Sequence, residues 1–443
     1  MRRPRRRESP EASSRHIPTE MVREILLKLP ARDAVRSSCP SKHLRGLVKD
    51  PPIPNLHAAE HAVPSPGGRG ADALLVTVNS VPGTSLDTSI YSVTSSKHMC
   101  RLAGSTAMSH LATNVCNGFI LFGPAASGVA PAVLCNPATG ETLALPAAPP
   151  LEDDMERYLF LLGFSPSTGE YKLFRLSFLK TLDGRGNYVD VYTLGDSRRG
   201  WRKHPHLVPF RHLYAVPPVL VDGKLYVVTG QIQLTGEPEG ILVIDVASET
   251  HCTYRPPDVY IMGNTLLDGL DLHGQFCLAV NYMLVSPSHP KVKFWVMPQL
   301  GRLDGRNHKR LNWELRYTFY VDVDHGRRKA SQGAWFCHYK QQPRAAWLDQ
   351  DETLCYMLDD CLYKYNTRGH SRTDDSLAWH EKVHLPTTPS PSNRWWNIYG
   401  GYRPSLLSPL ALALPPSQDV EDNDERFEDD MLRALRPSKS ELR

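Results

Sequence analysis

The chain has 443 residues, more than one ordinary compact domain needs and enough for a small module plus one large unit. Pro (37) and Gly (30) are modestly enriched, which suits many turns between short strands and falls short of general disorder. A net charge of +4 over this length gives no bulk attraction, so neither nucleic acid nor a membrane is expected as a partner.

Five arginines stand at positions 2, 3, 5, 6 and 7, and residues 1–15 read as a disordered Arg-rich tail, an import signal or a solvated end with no address. From Ile17 to His57 the periodicity is helical. Met21, Ile25 and Leu29 fall at i, i+4 and i+8, with Val22 and Leu26 beside them, so one face of the first helix is apolar. Thr19 after Pro18 reads as its N-cap, and Pro30 cannot continue it. Two more short apolar turns follow until Asp50-Pro51-Pro52 stops the run. Three helices in about 35 residues cannot bury a core alone, which implies a partner helix.

Residues 58–70 read as a Pro/Gly-rich linker between this module and a domain over 71–415. There a hairpin recurs: an apolar strand, a polar turn, and a strand starting near Trp, Thr or Cys. Its anchors are Tyr91, Leu134, Tyr192, Val243, Trp295 and Tyr363, at intervals of 43 to 68 residues. Apolar strands flanking Asp222-Gly223, His273-Gly274 and Asp351-Glu352 precede these hairpins. The period is close to that of four-stranded propeller blades. The segment from Tyr402 to Leu414 is expected to complete the first blade. Residues 416–443 begin with an acidic block, eight carboxylates between Asp419 and Asp430, and read as a largely disordered tail.

The nine cysteines form no CxxC pair, and no uninterrupted apolar run approaches 18 residues. The expectation is a cytoplasmic or nuclear protein with reduced thiols.

The helical stretch resembles the F-box, which docks on the Skp-type adaptor of cullin–RING ubiquitin ligases. The likeness rests on Ile17-Pro18, Glu20, Ile25-Leu26, Leu29-Pro30, Cys39, Ser41-Lys42, Arg45, Leu47-Val48 and Asp50-Pro51, within residues 16–57. Pro40 and Leu44 depart from it, standing where an aliphatic residue and a Trp are usual. The long middle is similar to the kelch-like F-box-associated domain of plant F-box proteins, through CNPATGE (135–141), GFSPSTGEYKL (163–173), DGKLY (222–226), the FWV-to-NW hairpin and YRPSLLSP (402–409). The resemblance implies a small all-α F-box of three helices followed by an all-β propeller of six or seven blades. It assigns adaptor docking to Ile17, Pro18, Met21, Ile25, Leu26, Leu29, Pro30, Val35, Cys39, Lys42, Leu44 and Leu47. It further implies a non-catalytic substrate-recognition subunit whose propeller binds an unknown target protein and needs no cofactor. The alternatives are a propeller binding module that no longer joins a ligase and a propeller lectin or enzyme.

Other constellations are weaker. Gly163 to Gly169 has the wrong spacing for a nucleophile elbow and reads as a hairpin turn. Cys337-His338 with Cys355 and Cys361 is the one local cluster of metal-ligating types, and free buried cysteines are the ordinary reading. For target binding, Arg394, Trp395, Trp396 and Tyr399 offer interface-type anchors in a Pro/Ser-rich loop. The aromatic and basic run Arg198–Lys203 is a second recognition cluster, and the basic hairpin loop Arg302–Arg310 is a surface for an acidic partner.

Overall fold

The computed structural model describes residues 17–62, 71–79, 87–102, 110–124, 131–150, 155–179, 188–196, 199–204, 216–230, 238–257, 266–282, 291–299, 311–320, 344–349, 352–358, 361–367, 381–384 and 394–413. Both tails, the Arg302–Arg310 run and Cys337-His338 lie outside them.

Four short helices open the described chain: α1 (Thr19–Lys28), α2 (Ala31–Ser38), α3 (Lys42–Lys49) and α4 (Pro52–Ala62). The expected three become four because Pro52 does not end the helical run. It occupies the first position of α4, where a missing N–H costs nothing and φ is already helical. Pro18, not Thr19, is the N-cap of α1, and no side chain caps that end. Leu29 is extended, as the residue before a proline prefers, and this ends α1. Ser41 caps α3, its hydroxyl accepting from the Leu44 N–H at 3.3 Å. Pro40 stands in the turn between α2 and α3, where it breaks no helix.

The rest is β-structure in six four-stranded antiparallel sheets. Blade 1 contains β1 (Asp72–Asn79), β2 (Asp87–Ser92) and β3 (His98–Leu102); blade 2 contains β4 (His110–Cys116), β5 (Phe119–Pro124), β6 (Val133–Cys135) and β7 (Thr142–Ala144). Blade 3 is β8 (Met155–Ser165), β9 (Glu170–Leu179), β10 (Tyr188–Thr193) and β11 (Arg202–Lys203). Blade 4 is β12 (Val219–Val221), β13 (Lys224–Gly230), β14 (Pro238–Asp245) and β15 (His251–Tyr254). Blade 5 is β16 (Leu266–Leu272), β17 (Gln275–Asn281), β18 (Lys291–Val296) and β19 (Glu314–Tyr320). Blade 6 is β20 (Arg344–Leu348), β21 (Thr353–Leu358), β22 (Cys361–Asn366) and β23 (Glu381–His384).

The last strand, β24 (Arg394–Tyr402), returns to blade 1 and pairs with β1, giving the order β24-β1-β2-β3. Contacts run from β24 to β4, β4 to β8, β8 to β13, β12 to β16, β16 to β20 and β20 to β24, which closes the ring at six blades. The closing strand is thus the segment ahead of YRPSLLSP, and Arg394-Trp395-Trp396 begin a strand instead of lying in a loop. The Pro/Ser run before Arg394 hid this strand start from the sequence.

Each blade buries both faces, so β5 and β17 are buried along nearly their whole length. The hairpins that lead into β5, β13 and β17 need positive φ at both turn residues, and Asn117-Gly118, Asp222-Gly223 and His273-Gly274 supply it. Polar clips join neighbouring blades. The Asn114 amide donates to the Leu162 carbonyl at 2.8 Å, the Tyr399 hydroxyl to Ala112 at 2.7 Å, and the Asn281 amide to the Tyr356 hydroxyl at 3.0 Å. Trp201 and Trp313, each in or beside the outer strand of its blade, donate their indole N–H to Pro146 and Arg255 of the preceding blade. Tyr226 of blade 4 stacks on Phe276 of blade 5 at 4.5 Å.

Beyond β24 the chain forms a strap, 403–413, ending in a short 3-10 helix (Ala411–Ala413). It is held first at blade 2. The Asn136 amide donates to the Ser405 and Leu407 carbonyls at 2.9 and 2.7 Å, while its oxygen accepts the Ala138 N–H at 2.9 Å. At Gly118 (φ +85°) a Cβ would collide with the Cβ of Ser405, so the strap passes where only glycine leaves room. Leu407 and Leu412 then pack on the core between blades 2 and 3.

Candidate functional site

The four helices do not stand apart from the propeller. Leu26, Ala31, Ala34, Val35, Leu47, Val48 and Ile53 share one buried cluster with Leu74, Val76, Ile90, Met99 and Cys100 of blade 1 and Ile120 and Cys135 of blade 2. Tyr402 and Leu406 close it from the C-terminal side. The partner that the sequence demanded for the helical module is therefore in part the module's own propeller.

Polar contacts fix the joint. Arg32 of α2 points Nη1 at Met99 Sδ across 3.3 Å, and burial holds its guanidinium below the usual arginine range. The Tyr402 hydroxyl is pushed well up by burial. The Cys135 thiol is also raised, first by its hydrogen bond to Cys100 and then by burial. Within the helices, His57 Nε2 lies 3.0 Å from the Leu29 carbonyl and donates to it, tying α4 to the end of α1. Arg23 donates to Asp50 at 3.0 Å, and Arg45 to the Cys39 carbonyl at 2.9 Å.

This joint divides the residues assigned to adaptor docking. Leu26, Val35 and Leu47 are buried in the shared core and present no surface. Leu29, Pro30, Cys39 and Leu44 are half-buried, while Pro18 and Lys42 are exposed. The outer stripe of α1 is open, with Met21 57% and Ile25 49% exposed, and Ile17, just ahead of the Pro18 N-cap, is 53% exposed. Among the described residues the only other large apolar side chains this exposed are Leu56 of α4 and Tyr320 of β19. Two of the five thus lie one turn apart on α1, and a third, Ile17, stands just ahead of its N-cap.

The target-binding candidates fare differently. Tyr399 is only 4% exposed and is spent on the clip to Ala112, so it offers a partner no surface; β24 buries it because the innermost strand faces its neighbours on both sides. Arg394, Trp395 and Trp396 pair with Asn79, Val78 and Thr77 along that strand. In the basic run of blade 3, Trp201 packs edge-on against Phe160 at 5.9 Å, and Arg202 pairs with Glu249 of blade 4. The Gly163–Gly169 stretch is the end of β8 and the β8–β9 hairpin turn, with the Gly169 N–H donating to the Ser165 carbonyl at 2.8 Å. Cys355 is buried and belongs to no disulfide. Among the described residues no group of three or more His, Cys, Asp or Glu is placed to hold a metal, and no helix is long and apolar enough to cross a membrane. Sequence reasoning missed the strap and the helix–propeller joint; Asn136 in CNPATGE was the one local signal for the former.

Two family models match the chain: the F-box domain over residues 15–56 and the F-box associated beta propeller domain over residues 73–303. The second covers blades 1 to 4 and part of blade 5. An Arabidopsis thaliana F-box protein is 25% identical over 246 residues, 55% of this chain and 58% of that one. Another from the same plant is 23% identical over 229 residues, 48% of this chain and 51% of its own length. The chain therefore spans little more than half the length of the curated relatives it matches. A functionally unknown protein from Desulfotomaculum acetoxidans aligns with 66% of this chain and 93% of its own at 8% identity, with a TM-score of 0.32. With an F-box on four short helices and an F-box-associated domain on a six-bladed ring, the chain belongs to the plant F-box proteins that carry this propeller.

Proposed function

We propose that the chain is the target-recognition subunit of a Skp–cullin–RING ubiquitin ligase, acting in the cytoplasm or nucleus. The outer stripe of α1 docks the Skp-type adaptor and the propeller holds the target protein. The observation that carries this reading is the open pair Met21 and Ile25 on α1, with exposed Ile17 just ahead of its N-cap, on a helix whose inner side chain Leu26 is already buried. Covering the remaining half of three such side chains is worth ~1 kcal/mol each. That is enough to nucleate an interface with the exposed Pro18 and Lys42 at its rim.

The role requires no bond chemistry from this chain. Holding a target lysine near a charged ubiquitin carrier raises its effective concentration and orients its attack. A helix module sharing a core with blades 1 and 2 suits this role, because it gives the target a fixed direction relative to the adaptor.

The test is co-purification of the full chain with a plant Skp-type adaptor, beside the double substitution Met21→Asp, Ile25→Asp. Both side chains lie outside the core, so the melt should not change, whereas capture should fall at least ~100-fold, the equivalent of about 3 kcal/mol. Undiminished capture by the variant defeats the assignment of this face. Failure of the intact chain to capture any adaptor defeats the ligase role and leaves a stand-alone binding module.

A further inference from the structure

We infer that the outer row of α3, centred on Gly46, seats an acidic segment of the Skp-type adaptor at close backbone range. The inference rests on the docking reading above and adds to it the chemistry of the segment that meets this helix.

α3 is a helix of eight residues, KHLRGLVK, too short to stand on its own. It is held by one face. Leu47 and Val48 are buried in the core shared with blades 1 and 2, and Leu44 is half-buried on the same side. The opposite row is Lys42 and Gly46 at i and i+4, with His43 at its edge, and all three are exposed. α1 is held on that same core by Leu26, so the open rows of both helices are turned from the propeller.

Two choices on the α3 row run against helix chemistry. The first is Gly46, an interior position where glycine disfavours the helix about 5-fold relative to alanine. Close packing explains other glycines of the chain. A Cβ on Gly163 would meet Val246 at 2.6 Å, one on Gly240 would meet Thr253 at 2.6 Å, and one on Gly400 would lie 2.6 Å from the Ala346 carbonyl oxygen. Gly169, Gly200, Gly274 and Gly401 are open, but each has a positive φ that favours glycine. Gly46 has neither reason: its φ is helical and, among the described residues, nothing lies within 4 Å of a Cβ placed there. The second choice is the first turn. It holds Lys42 and His43 and no acid, although the positive end of a helix favours carboxylates there. Lys42 enters no ion pair among the described residues, and Gly46 stands at the i+4 position where an acid would have served it.

Local choices that weaken an element without a gain elsewhere in the fold point to a function. A missing side chain between exposed polar neighbours admits a partner's backbone closer than any other residue would. Lys42, with the His43 ring as a second donor, then selects carboxylates on the incoming segment. The adaptor is the occupant because the row belongs to the helical module and is turned away from the blades that hold the target.

The experiment titrates a purified plant Skp-type adaptor into the full chain and its variants at ~0.05 and ~0.5 M NaCl, with a melt of each. Gly46→Ala should raise Tm by about 1–2 °C and yet weaken binding ~10-fold. Gly46→Gln, also a better helix former than glycine, should melt no lower than the intact chain and bind ~100-fold more weakly. The opposite signs of stability and affinity separate a seat from a structural glycine. Lys42→Glu should weaken binding ~5-fold at low salt, and the difference should vanish at high salt. Full affinity in Gly46→Gln overturns the seat, as does a lower Tm in Gly46→Ala. Unchanged or tighter binding by Lys42→Glu at low salt overturns the acidic partner. If Met21→Asp, Ile25→Asp abolishes binding while the α3 variants bind like the intact chain, the docking reading stands and this inference alone falls. No binding by the intact chain overturns both.

Discussion

Asn136 is the most exacting single position in the ring. It anchors the strap through two donated hydrogen bonds, to Ser405 at 2.9 Å and Leu407 at 2.7 Å, and its own oxygen folds the CNPATGE turn by accepting from Ala138. Asn136→Ala removes three bonds, each worth about 1 kcal/mol net, and leaves the buried Ser405 carbonyl without this donor. The expected loss is ~3 kcal/mol, or a Tm lowered by roughly 5 °C. Asn136→Asp keeps the turn but points a carboxylate at two carbonyl oxygens. Burial and those oxygens disfavour its charge, so its folded pKa lies above the unfolded value near 3.9. A raised folded pKa means the stabilising protonated form is complete below the unfolded value and lost as pH rises through the folded one. The Asp variant should therefore be closest to the native chain near pH 4 and fall behind it by pH 7. Blade 4 provides the control: Asp245 accepts from the Ser248 N–H at 2.9 Å in an equivalent turn, with no strap to hold, so Asp245→Asn should cost under ~1 kcal/mol. The assay is thermal and urea unfolding of the full chain at both pH values. An Asp variant whose deficit does not change with pH, or an Ala variant melting within 1 °C of the native chain, refutes the strap's role in stability.

Other outcomes follow from the same contacts. Gly118→Ala should destabilise by more than ~2 kcal/mol in urea, since φ is +85° and the new Cβ meets Ser405. Removing one partner of the buried Arg175–Asp190 pair, at 2.8 Å, by Asp190→Ala should cost ~3 kcal/mol, and the double Arg175→Met, Asp190→Leu should recover much of it. Trp313→Phe keeps the edge contact with Phe276 but loses the 3.0 Å bond to Arg255, and should lower stability by ~1 kcal/mol in the same assay. Burial pushes the thiols of Cys116 and Cys277 up, so at pH 8 both should resist alkylation until the chain unfolds, whereas half-exposed Cys39 reacts in the native state, as peptide mapping can follow.

Much of the ring was legible in the sequence. The anchors Tyr91, Leu134, Tyr192, Val243, Trp295 and Tyr363 all fall on the third strands of their sheets, one per blade, because that strand is flanked on both edges and must read as an apolar run. The turns at Asp222-Gly223 and His273-Gly274 were legible for a chemical reason, since both positions take positive φ. The closing strand was not, since Arg394–Tyr402 follows Pro and Ser and contains Gly400-Gly401, signals that locally mean loop. Only ring closure, a contact between the two ends of a domain more than 300 residues long, turns it into a strand. Tyr399 was misread for the same cause: an aromatic thought to lie in a loop proved to be a clip on the innermost strand.

The docking residues show where periodicity stops. In α1 the rows Met21, Ile25 and Val22, Leu26 lie about 100° apart, so both belong to one broad apolar face. Hydropathy cannot say which row meets the propeller and which stays open; the packing of Leu26 against blades 1 and 2 decides it. That decision changes how docking has to be tested. Leu29 packs on the shared core and its carbonyl receives the His57 N–H, so replacing Leu29 and Pro30 disturbs the joint along with any interface. Loss of capture in such a variant would not separate a broken surface from a displaced module. Met21 and Ile25 carry no such second duty, being half exposed and outside every buried cluster. A substitution there that abolishes capture while the melt and the Arg32–Met99 joint persist can only have acted at the surface, and one that leaves capture intact removes that surface from consideration.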